Sequence, residues 1–148
     1  GGNDMFPAVS PDSQRIAFVT DRYGNPNLFV MNIDGGDLQR LTWTPAFELK
    51  PLWSPDGTQL LLEAQTQGVT SGAIFVIDAD GGNLRQLLDG ADFIASPAWS
   101  PDGSEIVFVS QDKAGGADIY IAEADGGNVR RLTNHPALDS YPAWQPQP

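Results

Sequence analysis

The chain has 148 residues, 19 acidic and 8 basic, with one histidine and no cysteine, and a formal charge of −11. With 41% apolar and 18% charged residues the composition is globular, of a length that suits one domain. The few scattered Lys and Arg argue against nucleic acid as a partner, the lack of Cys excludes disulfides, thiolate nucleophiles and cysteine zinc sites, and no apolar run reaches the roughly 20 residues needed for membrane insertion as a helix.

Sixteen Gly and twelve Pro punctuate the chain with a regular beat. Pro7, Pro51, Pro97 and Pro142 open similar segments at intervals of 44, 46 and 45 residues, which defines an internal repeat. The first copy runs from Phe6-Pro7-Ala8-Val9 into Ser10-Pro11-Asp12-Ser13, then through the apolar segment 15–19, the segment 28–31, the turn Asp34-Gly35-Gly36 and a short edge-like strand at 38–42. The second begins Pro51-Leu52-Trp53-Ser54-Pro55-Asp56-Gly57 and continues through strands at 59–63 and 74–77, Asp80-Gly81-Gly82 and a strand at 84–88. The third begins Pro97-Ala98-Trp99-Ser100-Pro101-Asp102-Gly103, with strands at 105–109 and 119–122, Asp125-Gly126-Gly127 and a strand at 129–133. Tyr141-Pro142-Ala143-Trp144 starts a fourth.

Proline presets the turn after each first strand, glycine accepts positive φ there, and Asp-Gly between apolar runs signals a hairpin. The second strand of each copy is apolar almost without a break, as expected where both faces are covered. No segment keeps a helical period. The fold class is therefore all-β: three four-stranded antiparallel propeller blades plus one extra strand, a partial or half propeller. Blade 1 is expected at about 6–44, blade 2 at about 50–90, blade 3 at about 96–135, and the start of a fourth at 141–148.

Ser-Pro-Asp-Gly in the first hairpin, Asp-Gly-Gly in the second and Leu-Thr after the fourth strand together resemble the WD40-like Pro-Asp repeats of TolB-like β-propellers, over essentially the whole chain. Val9 stands where the other copies have Trp, Ser13 where they have Gly, and Leu88 in place of Thr. The resemblance implies a non-catalytic module that binds a protein or peptide in a bacterial periplasmic or extracellular setting. Similar repeats also occur in the substrate-gating propellers of prolyl-oligopeptidase-like serine peptidases, the alternative reading. Closed rings need about four to eight blades, so the chain reads as a piece of a longer propeller or as a half-propeller that self-associates through its open ends into a six-bladed homodimer. In such a dimer one surplus first strand, at 6–9 or at 141–144, must be displaced.

In a propeller the Ser-Pro-Asp-Gly and Asp-Gly-Gly turns share one rim, and the variable loops share the other. Loops that vary on a repeated scaffold carry specificity, and the candidate partner-binding residues on this loop face are Arg22, Tyr23, Trp43, Phe47, Phe93, Lys113 and His135, with residues 43–50 and 89–95 read as loops. Trp53, Trp99 and Trp144 recur at one strand position and read as blade-to-blade packing. Six of the nineteen acids fall in the repeated turns. No catalytic residues are expected: the lone His135 has no nucleophile elbow to serve, and no glycine-rich phosphate loop is present. No cofactor is expected, with a weak calcium site as the alternative: Asp78-Ala79-Asp80-Gly81 and Glu123-Ala124-Asp125-Gly126 resemble the start of a calcium loop, without the further ligands of an EF-hand.

Overall fold

The computed structural model describes residues 1–65, 72–88, 93–111, 116–135 and 137–145, with residue 47 described by its backbone alone. Its strands form three sheets: β1 (Asp4–Val9), β2 (Arg15–Thr20), β3 (Asn27–Asn32) and β4 (Gln39–Arg40); β5 (Phe47–Trp53), β6 (Gln59–Gln65), β7 (Gly72–Asp78) and β8 (Arg85–Leu88); β9 (Phe93–Trp99), β10 (Glu105–Gln111), β11 (Ala117–Glu123) and β12 (Arg130–Arg131). Each sheet is antiparallel, with its strands side by side in chain order.

Successive strand residues point to opposite faces, and the middle blade uses both. Leu60 and Leu62 of β6 pack with Ala17, Leu28, Val30 and Leu41 of blade 1. Leu61, between them, packs with Ile94, Ile106 and Phe108 of blade 3. The core is therefore two apolar seams between blades, and the near-continuous apolar strands are explained by it. Tryptophan stitches each seam. The Trp53 indole N–H donates to the Ala8 carbonyl at 2.9 Å, Trp99 to Leu52 at 3.3 Å and Trp144 to Ala98 at 3.1 Å. The three acceptors occupy one position in successive first strands, so the fourth copy's Trp144 docks on blade 3 as its predecessors dock on theirs. Asp139 N–H also donates to the Ala117 carbonyl, at 2.9 Å.

The first strands begin earlier than the repeat boundaries suggest, at Asp4, Phe47 and Phe93, and residues 47–50 and 93–95 are strand where loop was expected. The cause is a bulge. Phe6-Pro7 lies between the pairs Met5–Val19 and Ala8–Ala17, so two residues oppose Phe18 alone; Lys50-Pro51 and Ser96-Pro97 repeat this opposite Leu62 and Phe108. The residue before each proline is left-handed, with φ of 54° at Phe6, 49° at Lys50, 54° at Ser96 and 54° at Tyr141. Proline fits there because a bulge leaves one position without a ladder N–H to supply. Pairing then resumes upstream of the kink.

The turn motifs carry their own hydrogen bonds. Ser10, Ser54 and Ser100 hydroxyls donate to Asp12, Asp56 and Asp102 and accept the N–H of Arg15, Gln59 and Glu105 at 2.9 Å. The same carboxylates accept the N–H of Gln14, Thr58 and Ser104 at 3.0 Å. These bonds, the serine hydroxyl first, hold all three carboxyls below the ordinary range, Asp102 at about 2. Ser13 takes the left-handed position (φ 59°) that Gly57 and Gly103 take elsewhere.

The Leu-Thr motif ends the ladder. Leu28 N–H donates to the Thr42 hydroxyl at 2.9 Å, and Ile119 N–H to that of Thr133 at 2.9 Å, just where the two-residue strands β4 and β12 leave off. Where Leu88 replaces threonine, β8 runs on and Leu88 pairs with Ile74 by its backbone. A buried acid accompanies the first threonine. Glu48 of β5 accepts Leu28 N–H at 2.9 Å and the Thr42 hydroxyl at one carboxylate oxygen, and the Thr44 hydroxyl at 2.8 Å at the other. Burial, outweighing these bonds, raises its pKa. Three residues before the blade 3 proline, the same position is Ile94, so the chain pairs Thr42 with Glu48 in one seam and Leu88 with Ile94 in the next.

Three outcomes are expected. Trp99→Ala, which empties the seam between blades 2 and 3 and orphans the Leu52 carbonyl, lowers unfolding free energy in urea by about 3 to 5 kcal/mol. Glu48→Ile alone strands the Thr42 hydroxyl and costs about 1 to 3 kcal/mol, whereas Glu48→Ile with Thr42→Leu copies the apolar seam and restores most of the loss. A carboxyl whose pKa falls on folding contributes stability that is complete above its unfolded value and gone below its folded one. The turn aspartates therefore make the melting midpoint fall between about pH 4 and pH 2, and Asp102→Asn flattens that fall.

Candidate interaction surface

The loop after β2 is tied down at its root. Asp21 accepts the Asn3 main-chain N–H at 2.7 Å and its side-chain amide at 2.9 Å, which lowers the Asp21 pKa. The Arg22 guanidinium meets Asp4 at 2.6 Å, lowering the Asp4 carboxyl and raising the guanidinium. With its start fixed, the loop turns at Gly24 (φ 113°) and lays Tyr23 on Phe29, rings stacked at 5.7 Å. Phe29 in turn meets Phe18 at 6.1 Å.

Arg40 of β4 joins this stack to the loop before β5. Its guanidinium carbon lies 6.0 Å from the Tyr23 ring centre, 5.9 Å from Phe29 and 5.5 Å from Trp43. Bonds to Asn27 Oδ1 and the Thr42 carbonyl, each at 2.7 Å, hold it there. Asn25 and Asn27 amides donate to the Pro45 and Thr44 carbonyls at 3.2 and 3.3 Å, joining the two loops directly. The result is a fixed cation between two aromatic rings that stay open to solvent, Trp43 at 70% and Tyr23 at 63% exposure. Arg40 was not among the expected contact residues. Its sequence signal is a structural one, because Arg-Leu-Thr recurs at 131–133, where Arg131 bonds the Thr133 carbonyl at 2.7 Å and Asp118 at 2.5 Å.

The other expected residues lie apart from this cluster. Phe93 is in β9, paired with Gln111, and lines a cleft of about 470 Å³ together with Lys50, Glu63, Ser96 and Tyr141. Glu63 there accepts Ser96 N–H at 2.8 Å and stands 3.6 Å from the Lys50 ammonium. Phe47 is in β5, opposite Gln65; its side chain, and Lys113 altogether, lie outside the described residues. His135 is exposed beyond β12 and accepts Ala137 N–H at 3.2 Å. The calcium-like carboxylates serve their turns: Asp80 accepts Gly82 N–H at 2.8 Å, and Asp78 accepts the side-chain amides of Gln59 at 3.0 Å and Asn83 at 2.6 Å. Among the described residues no group of three or more His, Asp or Glu is placed to share a metal ion, and no helix is long and apolar enough to cross a membrane.

Known proteins share this architecture. Over 57 residues, 38% of this chain and 9% of the relative, the sequence is 44% identical to an uncharacterised peptidase, YuxL, of Bacillus subtilis. Over 50 residues, 34% of this chain and 12% of the relative, it is 40% identical to the Tol-Pal system protein TolB of Geobacter sulfurreducens. The crystal structure of TolB from Acinetobacter baumannii matches with a TM-score of 0.73 at 25% identity, covering 86% of this chain and 32% of that one. The chain thus spans less than half the length of each. Residues 53–141 match the family model of the dipeptidyl peptidase IV N-terminal region. Residues 1–92, which hold the first two blades and the seam between them, match that of the TolB β-propeller domain, and the chain belongs to that family.

Proposed function

We propose that this chain is a non-catalytic interaction module that holds a polypeptide on the loop side of blade 1, with Trp43, Arg40 and Tyr23 as the contact. The observation that carries this reading is the clamped guanidinium between two solvent-open rings. Trp, Tyr and Arg dominate binding energy at protein interfaces, most of all where they are held rigid before the partner arrives. Arg22 stands next to Tyr23 in the loop after β2, whereas Phe93 in β9 and His135 beyond β12 lie apart from the cluster. The TolB relatives support a periplasmic setting, and no cofactor is invoked.

A second reading has its own support. The match to the dipeptidyl peptidase IV N-terminal region and the likeness to YuxL favour a propeller that screens substrates for a serine peptidase. An α/β-hydrolase segment with a Gly-x-Ser-x-Gly elbow beside the propeller in its gene would establish it.

The interaction reading is tested by selecting displayed random peptides on the intact chain. Trp43→Ala is expected to weaken the selected peptides at least tenfold while changing unfolding free energy by no more than about 0.5 kcal/mol. Peptides that bind the variant as tightly as the parent place the contact elsewhere.

A further inference from the structure

Arg40, Gln86 and Arg131 hold one position in the three blades, opposite Phe29, Phe75 and Tyr120. The position stays open with a blade on either side, since Gln86 of the middle blade is exposed. Blades 1 and 3 both place a guanidinium there and anchor its Nε on the carbonyl two residues on, that of Thr42 or Thr133, at 2.7 Å. They differ in what Nη2 meets. In blade 3 it meets the Asp118 carboxylate at 2.5 Å, so the cation finds its counter-charge within the blade. Leu28 and Ile119, which each donate to a threonine hydroxyl, align the two blades and put Asn27 in the place of Asp118. In blade 1, therefore, Nη2 meets only a neutral amide oxygen, at 2.7 Å.

The amide at residue 27 is dictated by its other partners. Asn27 donates to the Asn25 and Thr44 carbonyls at 3.1 and 3.3 Å, which an ionised carboxylate, an acceptor only, would repel. Arg40 is left with an uncompensated charge. Among the described residues it forms no ion pair, and its Nη1 makes no hydrogen bond. Glu48 senses the cation from the interior, but its two carboxylate oxygens are engaged by Leu28 N–H and by the Thr42 and Thr44 hydroxyls. The half-buried guanidinium thus lies between two exposed rings, Tyr23 and Trp43, with donor capacity to spare.

We infer that Arg40 is the seat of a carboxylate, and that the polypeptide held on blade 1 presents to it the side chain of one Asp or Glu, flanked by residues that cover the Trp43 and Tyr23 rings. This rests on the contact proposed above and names the chemistry which that contact reads. The pairing has its precedent in the same chain, where Arg131 takes Asp118 at the equivalent position. A guanidinium offers N–H groups that match the oxygens of a carboxylate, and apolar cover over the pair strengthens it by excluding water. The charge of −11 limits the partner further: a run of acids is repelled, so the acid stands alone among uncharged residues.

The test uses peptides selected on the intact chain whose binding Trp43→Ala weakens, remade with amidated C-termini so that only side-chain carboxylates remain. They are expected to share one Asp or Glu. Changing that acid to Asn or Gln is expected to weaken binding to the parent chain by about tenfold or more, but by less than about twofold once Arg40→Gln has removed the cation. The difference between the two losses reports the pair itself, and an effect of Arg40 on folding alone would leave it at zero. A second measurement needs no variant: in the isotope-labelled parent chain the Arg40 Nε–H resonance is expected to shift with the acidic peptide. Trp43-dependent peptides that share no acid, that lose the acid without cost, that bind only with a free C-terminus or that leave the Arg40 resonance unmoved overturn the carboxylate and leave the contact standing. Peptides indifferent to Trp43→Ala overturn both.

Discussion

The arc depends on one contact repeated three times, an indole N–H given at one repeated position, in β5, in β9 and at Trp144, to a main-chain carbonyl in the first strand of the blade before it. Two of these bonds tie neighbouring sheets together, and the third ties the segment at Trp144 to blade 3. The acceptor is backbone, so the contact constrains only the residue that donates, and Ala8, Leu52 and Ala98 can serve equally. Tryptophan suits the place because it adds a large apolar body to a single donor that must be satisfied when it is buried. Outward from this line the seams fill with aliphatic side chains from both faces of the middle sheet.

The acidity of the molecule follows from its turns more than from any site. Asp12, Asp56 and Asp102 each gather a serine hydroxyl and a main-chain N–H, and Asp34, Asp80 and Asp125 each accept the N–H of the second glycine after them. Their charge is directed inward to the hairpins. Against that background the guanidinium groups of blade 1 are held individually, Arg22 by the Asp4 carboxylate and Arg40 by amide and carbonyl oxygens.

The blades were legible because their punctuation is local: proline, glycine and aspartate shape a turn through their own dihedrals and hydrogen bonds, so period and strand order could be read directly. Trp53, Trp99 and Trp144 were legible as structural because they recur. What escaped the reading depends on distant partners. Phe47 and Phe93 are in strand although a loop is expected there, because each proline marks the second half of a bulge with ladder on both sides. Glu48 resembled any surface acid until the fold brought Leu28, Thr42 and Thr44 around it. Tyr23 and Trp43 stand out by side-chain type, but their grouping rests on Arg40, which strand pairing sets beside Phe29.

The left-handed kink before each proline separates geometry from chemistry along the inner wall. The four kink residues are an aromatic, a cation, a hydroxyl and a second aromatic, Phe6, Lys50, Ser96 and Tyr141, yet their φ values agree within a few degrees. Their backbone shape is enforced by the bulge and the proline, and their side chains take no part in the indole bonds. Lys50, Ser96 and Tyr141 all border the same cleft. The wall of that cleft can thus be rewritten one residue per blade, with each new side chain delivered to the same point in space, while the seams that hold the arc together remain as they are.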